Sequence, residues 1–243
     1  MKQQLRIAII GYGKMGKIVE QTALARKHHV VVVIDNDDDW TTKRGKLRDC
    51  DAAIEFTTPE TAAENISKCF ETGVPVVSGT TGWYHKLPDI KNLCLKQKCT
   101  LFFASNFSIG VNIFFALNKK LAGMLSELDG YHPRIIETHH AEKLDAPSGT
   151  AITLAKQIID ARKSLDKWGD ASESLPPNVL PVKSYRIENI TGTHVVHYNS
   201  VIDSIEIKHT SHNRSGFAEG AILAAEWVQK KEGIFTMQDM LNL

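Results

Sequence analysis

The chain opens on a nearly continuous apolar run, Leu5 to Ile10, interrupted only by Arg6 and closed by Gly11. Such a run marks a strand buried on both faces of a parallel sheet. From Lys14 to about Arg26, the residues Met15, Ile18, Val19, Thr22 and Ala23 recur at helical spacing, and Val30 to Ile34 form a second β-branched run. Together they predict a βαβ unit. Ala52–Phe56, Val74–Val77 and Leu101–Phe103 repeat the strand signal, with helical stretches at Pro59–Phe70 and Leu87–Gln97 between them. This alternation predicts an α/β fold built on a doubly wound parallel sheet of the Rossmann type.

After Ala104 the rhythm changes. Gly110–Leu125 reads as a longer helix, Arg134–Glu137 as a strand, and a further helix is expected to start near Ser148. Between Lys183 and Lys208, residues Ile187, Ile190, Val195, Ile202, Ile205 and Ile207 alternate with polar neighbours, which suits a sheet with one face wet or used for association. A second, mixed-sheet α+β domain is therefore expected over 107–216. The first domain is expected over 1–106 and 217–243, because the amphipathic stretch Phe217–Lys231 can return to pack beside the first sheet. Trp168–Pro181, which contains Pro176, Pro177 and Pro181, is expected to be an irregular loop or lid.

Composition narrows the class. With 243 residues of which 42% are hydrophobic, the chain can bury a large core without disulfides or metals. Its 29 Lys and Arg against 28 Asp and Glu leave no cationic excess for phosphates, which argues against nucleic acid and for a small partner. Cys50, Cys69, Cys94 and Cys99 show no C-x-x-C spacing, against a disulfide or zinc framework. No signal-peptide pattern or run of 18 apolar residues occurs, so a cytoplasmic protein without membrane association is expected.

Gly11-Tyr12-Gly13-Lys14-Met15-Gly16 fits G-x-G-x-x-G directly after a strand and at the start of a helix. There the glycines permit a tight turn and close approach to a pyrophosphate, which the helix N-terminus attracts. Asp35 lies 19 residues beyond Gly16, at the end of the second strand, where an acid can accept from ribose hydroxyls. Asn36-Asp37-Asp38-Asp39 follows with no Arg to meet a 2′-phosphate, so NADH is expected over NADPH. The alternative is that these acids form a solvated loop and that Lys43 or Arg44 folds back onto the phosphate.

The densest polar stretch, Glu137 to Thr150, joins a strand end to a helix start. Ser148-Gly149-Thr150 offers helix N-terminal amides and a hydroxyl to a carboxylate, and Lys143 adds a compact positive charge, a combination suited to a dianion. On a strand, His139 and His140 would point apart, so that one can deliver a proton and the other bind an anion. Adjacent strand residues rarely converge on one ion, so no metal is expected. Taken alone, the stretch could also be a loop whose histidines satisfy backbone groups. His28-His29, between a helix and a strand, reads as surface.

The glycine loop ending in Lys14-Met15-Gly16, then Gly79-Thr80-Thr81-Gly82, then Asn106-Phe107-Ser108-Ile109-Gly110-Val111-Asn112, then His139-His140 with Lys143 and Asp145-Ala146-Pro147-Ser148-Gly149-Thr150-Ala151, closely resemble the 4-hydroxy-tetrahydrodipicolinate reductase (dihydrodipicolinate reductase) family. The resemblance spans most of the chain. It implies an NAD(P)H-dependent oxidoreductase of the diaminopimelate route to lysine, which reduces a cyclic dicarboxylate to tetrahydrodipicolinate. It also implies that His139 is the proton donor and Lys143 a second acid, with His140, Gly149, Thr150 and Thr81 on the substrate. Gly11, Tyr12, Gly13, Lys14, Met15, Gly16, Asp35, Gly79, Thr80, Thr81 and the segment Ala104-Ser105-Asn106-Phe107 would hold the cofactor, and the second domain would build a homotetramer.

Some features depart from the family pattern. The glycine loop is one residue short, Glu55-Phe56-Thr57 replaces the common Asp-Phe-Thr, and the stretch between Asp35 and Asp51 looks too short for the usual helix. Around His212-Asn213-Arg214 the chain also differs, and Arg214 is assigned no role. Two rival functions remain: a related reductase acting on another small dicarboxylate or semialdehyde, and a catalytically inert dinucleotide sensor using its second sheet for protein contacts.

Overall fold

The computed structural model describes residues 4–213 and 215–243, so Arg214 lies outside the described residues. The elements run β1 (Arg6–Ile10), α1 (Lys14–Ala25), β2 (His29–Ile34), α2 (Asp37–Lys43), β3 (Ala52–Glu55), α3 (Ala62–Phe70), β4 (Val76–Ser78), α4 (Leu87–Lys96) and β5 (Thr100–Phe103). Then come α5 (Ile109–Met124), β6 (His132–His139), α6 (Gly149–Ala161), β7 (Lys167–Asp170), β8 (Val179–Arg186), β9 (Gly192–Asn199) and β10 (Ser204–Ser211). The chain closes with α7 (Ser215–Trp227), β11 (Gly233–Phe235) and α8 (Met237–Leu241). Two compact units result: residues up to Ile109 together with Ser215–Leu243, and the stretch from Gly110 to 213.

The first unit is a parallel sheet ordered β11-β5-β4-β3-β1-β2. Period-two alternation explains why its strands read as unbroken apolar runs. Ile7, Ile9, Ala52 and Ile54 face a core with α1 and α7, whereas Ala8, Ile10, Ala53 and Val76 face one with α3 and α4. Chain order reverses between β1 and β3, so the loops leaving their carboxyl ends diverge and open the crevice where such sheets take ligands.

Two expectations need correction in this unit. The stretch after Asp35 is not too short for a helix: Asn36 caps α2 by accepting from the Asp39 amide at 2.9 Å, and Asp37, Asp38 and Asp39 occupy its first turn, where the helix dipole favours them. A 3-10 turn, Arg44–Asp49, completes the connection. His28 is not on the surface either; it is buried, accepts from the Leu5 amide at 3.1 Å and contacts Glu226 at 3.0 Å, which also binds Arg26 at 2.7 Å. These bonds tie the α1–β2 turn to α7, and sequence alone could not supply partners so remote in the chain.

The second unit is a mixed sheet ordered β10-β9-β6-β8-β7. Strands β6, β8 and β7 pair in parallel, while β9 is antiparallel to both β6 and β10. One face packs on α5 and α6 through Ile135, Leu180, Val182, Val196 and Tyr198. The opposite face carries Arg134, Ile136, Lys183, Val195 and His197 and is more open. The expected loop at 168–181 is shorter than the composition suggests, because β7 pairs in parallel with β8 and leaves only 171–178 irregular. All four cysteines are buried free thiols, and no helix of the described residues is long and apolar enough to cross a membrane.

Candidate active site

In the first unit the three motif glycines do different work. Gly11 has φ +88°, and a Cβ there would meet the Phe56 carbonyl oxygen at 2.1 Å; a Cβ on Gly16 would meet the Gly11 carbonyl oxygen, also at 2.1 Å. Gly13 has no atom within 4 Å of such a Cβ, so its smallness serves no intramolecular contact and leaves room for a close-lying ligand. Beside it a cleft of about 340 Å³ is lined by Gly11, Gly13, Asp35, Trp40, Thr57 and Asn65, among others. Asp35 accepts from the Tyr12 amide at 2.5 Å, which fixes the carboxylate at this cleft. Lys43 is held by Asp39 at 2.6 Å and Arg44 is paired with Glu71, so both cations already have carboxylate partners.

A buried carboxylate organises the second segment expected at the cofactor. Glu55, fully buried at the end of β3, accepts from Ser78 at 2.6 Å, from Thr80 at 2.7 Å and from the Thr57 amide at 3.0 Å. The Thr80 hydroxyl also accepts from the Thr57 amide at 2.7 Å. These bonds set the course of Gly79-Thr80 and leave Thr81 exposed. A Cβ on Gly79 would sit inside the Phe56 ring at 2.1 Å, which accounts for glycine there. Among the remaining expected cofactor residues, Lys14 and Ser105 are exposed, Met15 packs partly on the α1 core and Ala104 is buried. Phe107 is only 2% exposed and stacks on Phe102, so its ring belongs to the core.

In the second unit, strand register builds the site. Glu137 on β6 stands opposite Ser184 of β8 and His194 of β9, and His194 stands opposite His209 of β10. This row lies on the covered face, where the apolar residues of the preceding rows give way to polar ones. One row further, His139 stands beside Arg186 of β8, and on the other side Gly192 leaves space for its ring, since a Cβ there would meet His139 Cε1 at 2.8 Å.

Glu137 has no solvent exposure and is saturated with donors. It accepts from the Ser148 amide at 3.0 and 3.1 Å, from the Ser184 hydroxyl at 2.8 Å and from the Arg186 guanidinium at 3.2 Å. Burial opposes its ionisation, but hydrogen bonds from His194, Ser148 and Ser184 outweigh this and hold the carboxyl well below the usual carboxylate range. His139 Nδ1 lies 3.2 Å from the Thr191 carbonyl oxygen and Nε2 lies 3.3 Å from His194 Nε2, with the rings edge to face. Burial, reinforced by His194, pushes the His139 imidazole down to about 4.

Arg186 also donates to the Lys143 carbonyl at 3.2 Å and the Asp145 carbonyl at 2.5 Å, clamping the loop that carries Lys143. Lys143 meets the Asp145 carboxylate at 2.7 and 2.9 Å, so its charge is matched locally. Ser148 is the α6 N-cap and accepts from the Ala151 amide at 3.2 Å. That amide, and the Ser148 amide on Glu137, are therefore engaged, so that of the expected Ser148-Gly149-Thr150 amides the first is not open to a ligand. Gly149 is exposed, Thr150 is partly exposed, and the buried His140 Nδ1 has no partner among the described residues.

Residues Glu137, His139 and His194 bring three ligand-capable atoms within 4.8 Å of one another. Because both Glu137 oxygens are already engaged and one faces a guanidinium, the chemistry of this trio is that of a hydrogen-bonded network. His194 and Arg186 have no part in the sequence reading. Their signal was present as polar residues at inward positions of otherwise alternating strands, but naming the inward face requires the register.

Family models for the N-terminal and C-terminal parts of dihydrodipicolinate reductase match residues 5–107 and 110–241 respectively. A 4-hydroxy-tetrahydrodipicolinate reductase of Christiangramia forsetii is 45% identical over 98% of this chain and 98% of its own. One of Chromobacterium violaceum is 37% identical over 81% of this chain and 75% of its own. The solved dipicolinate-bound dihydrodipicolinate reductase of Paenisporosarcina sp. TG-14 superposes with a TM-score of 0.77 at 25% identity, covering 98% of this chain and 99% of that one. With the whole length matched and the nucleotide fold in place, the chain belongs to the dihydrodipicolinate reductase family of pyridine-nucleotide-dependent oxidoreductases, enzymes of lysine biosynthesis.

Proposed function

We propose that this chain reduces 4-hydroxy-tetrahydrodipicolinate to tetrahydrodipicolinate, with NADH preferred over NADPH. The observation that carries the reading is the row Ser184, Glu137 and His194 below His139, a buried, pre-organised proton-handling group at the start of α6. In the net reaction water leaves and a hydride and a proton are added. Bound reduced nicotinamide supplies the hydride; the chain supplies position and the proton.

His139 is the proton donor and Lys143 the second acid. The dicarboxylate, of the class that the solved relative holds as dipicolinate, takes its place on His140, Gly149 and Thr150, where the Gly149 and Thr150 amides in the first turn of α6 have no helical acceptor. An arriving carboxylate competes with Asp145 for Lys143, so binding the substrate frees the lysine from its internal partner. Asp35 receives the ribose hydroxyls, and the acidic first turn of α2 repels a 2′-phosphate while Lys43 and Arg44 stay with their own carboxylates. The open face of the second sheet, with Ile136, Val195 and Tyr185, serves homotetramer assembly in a cytoplasmic enzyme.

The test is loss of reduced-nicotinamide absorbance with substrate generated in situ by its synthase, run with both cofactors. Turnover with a lower KM for NADH is expected, and Asp35→Ala should weaken NADH more than NADPH. Lys143→Ala should lower kcat/KM at least tenfold while NADH binding survives. No turnover with either cofactor would favour the inert-sensor reading.

A further inference from the structure

The hydrogen bonds around His139 assign its tautomer. Because the Thr191 carbonyl oxygen can only accept, His139 Nδ1 carries the hydrogen, and Nε2 of the neutral ring presents a lone pair to His194. Ser148 Oγ accepts from the Ala151 amide and lies 3.0 Å from the same His194 Nε2. Since His139 Nε2 can only accept, His194 Nε2 carries the hydrogen between the two rings. In this state His139 has no proton to give at Nε2. Any proton added there meets the N–H of His194, unless His194 moves its hydrogen to Nδ1 and turns from donor to acceptor.

We infer that His194 is a positioning residue for the proton donor: the two Nε2 atoms share one added proton above the Glu137 carboxylate, and His194 switches tautomer to accept the bond that holds it on His139. The inference rests on the reading of His139 as the donor. Its geometric basis is the compact triangle of His139 and His194, 3.3 Å apart, with the Glu137 carboxylate 3.7 and 3.6 Å from them. When the proton passes from His139 Nε2 to the substrate carbanion, the pair returns to its neutral form and His194 regains its Nε2 hydrogen. Other groups facing the pair are Arg186 from β8, Lys143 from the loop, His209 from β10, itself faced by His212, and the Ser148 hydroxyl. Of these the cations disfavour protonation, so the Glu137 carboxylate and the incoming dianion must supply the opposite field.

The experiment compares wild type, His194→Phe and His139→Phe in the full-length enzyme across pH, following kcat and KM with saturating NADH. His194→Phe keeps an aromatic ring but no acceptor. Its alkaline fall of kcat is expected to move at least one pH unit toward acid, because the lost acceptor outweighs relief of the repulsion that His194 exerts on a charged His139 ring, with KM for both substrates within twofold of wild type; a move toward alkali, the result of that repulsion alone, would overturn the proposal. A purely structural role would lower kcat by one factor at every pH, and that result, or an unmoved profile, would overturn the proposal. His139→Phe is expected to lose at least a hundredfold in kcat; near-wild-type turnover would instead overturn the donor reading beneath it. Independently of turnover or of any variant, ¹⁵N NMR of the imidazoles should show the hydrogen on Nδ1 of His139 and on Nε2 of His194 in the free enzyme. The reverse pattern would also overturn the proposal.

Discussion

His139 titrates far below its ordinary value because its ring is buried and a second imidazole, His194, lies beside it, and this has a consequence for stability. An unfolded histidine protonates near 6.5, whereas the native ring resists until about 4, so the unfolded chain binds the extra proton across that window. Stability is therefore full above the unfolded value and falls as pH drops toward 4. The expected loss between pH 7.5 and pH 5 is about 2 kcal/mol from this residue. Urea unfolding at the two pH values should show it for wild type, with a correspondingly smaller fall for His139→Phe; equal falls in both proteins would remove the assignment. Glu137, with its carboxyl held low, adds a further loss as pH falls through the ordinary carboxylate range and below it.

At the scale of elements, the β1–α1 turn separates structural from functional glycine. Gly16 lies against the Gly11 carbonyl oxygen, so Gly16→Val forces the helix away from the strand and should cost roughly 1–3 kcal/mol or more. A Cβ at Gly13 meets nothing within 4 Å, so Gly13→Val should leave the melting temperature near wild type, yet weaken NADH at least tenfold by filling the approach of the pyrophosphate. Thermal melts paired with NADH titrations distinguish the two, and wild-type affinity in Gly13→Val would move the cofactor elsewhere. The sequence motif named all three glycines without separating their roles. Likewise β6 was legible from Arg134–Glu137, but its extension to His139, which puts both Glu137 and His139 on the covered face, depends on pairing with β8 and β9.

At the scale of the whole molecule, the second sheet covers one face with α5 and α6 and leaves Ile136, Val195 and Tyr185 on the other. Ile136 and Val195 lie half-buried among Arg134, Lys183 and His197, and with exposed Tyr185 they form an apolar strip that a second copy can cover. Light scattering on the purified protein should accordingly report a tetramer. Val195→Glu, which places a charge mid-strand on that face, should shift it to smaller species without loss of secondary structure. A wild-type monomer at micromolar concentration would refute the assembly.

The sequence by itself determined the alternation of strands and helices, the glycine turn with Asp35 at its proper distance, and the polar stretch from Glu137 to Thr150, because each depends on residues close together in the chain. Tertiary structure alone decided which polar residues meet. The pairing of β9 with β6 set His194 against His139, the parallel neighbour β8 supplied Arg186 to clamp the Lys143 loop, and the return of α7 buried His28 on Glu226. Periodicity tells which residues of a strand share a face. Register tells which residues of different strands share a site, and it is set by packing between segments 40 or more residues apart, as with His139 and His194.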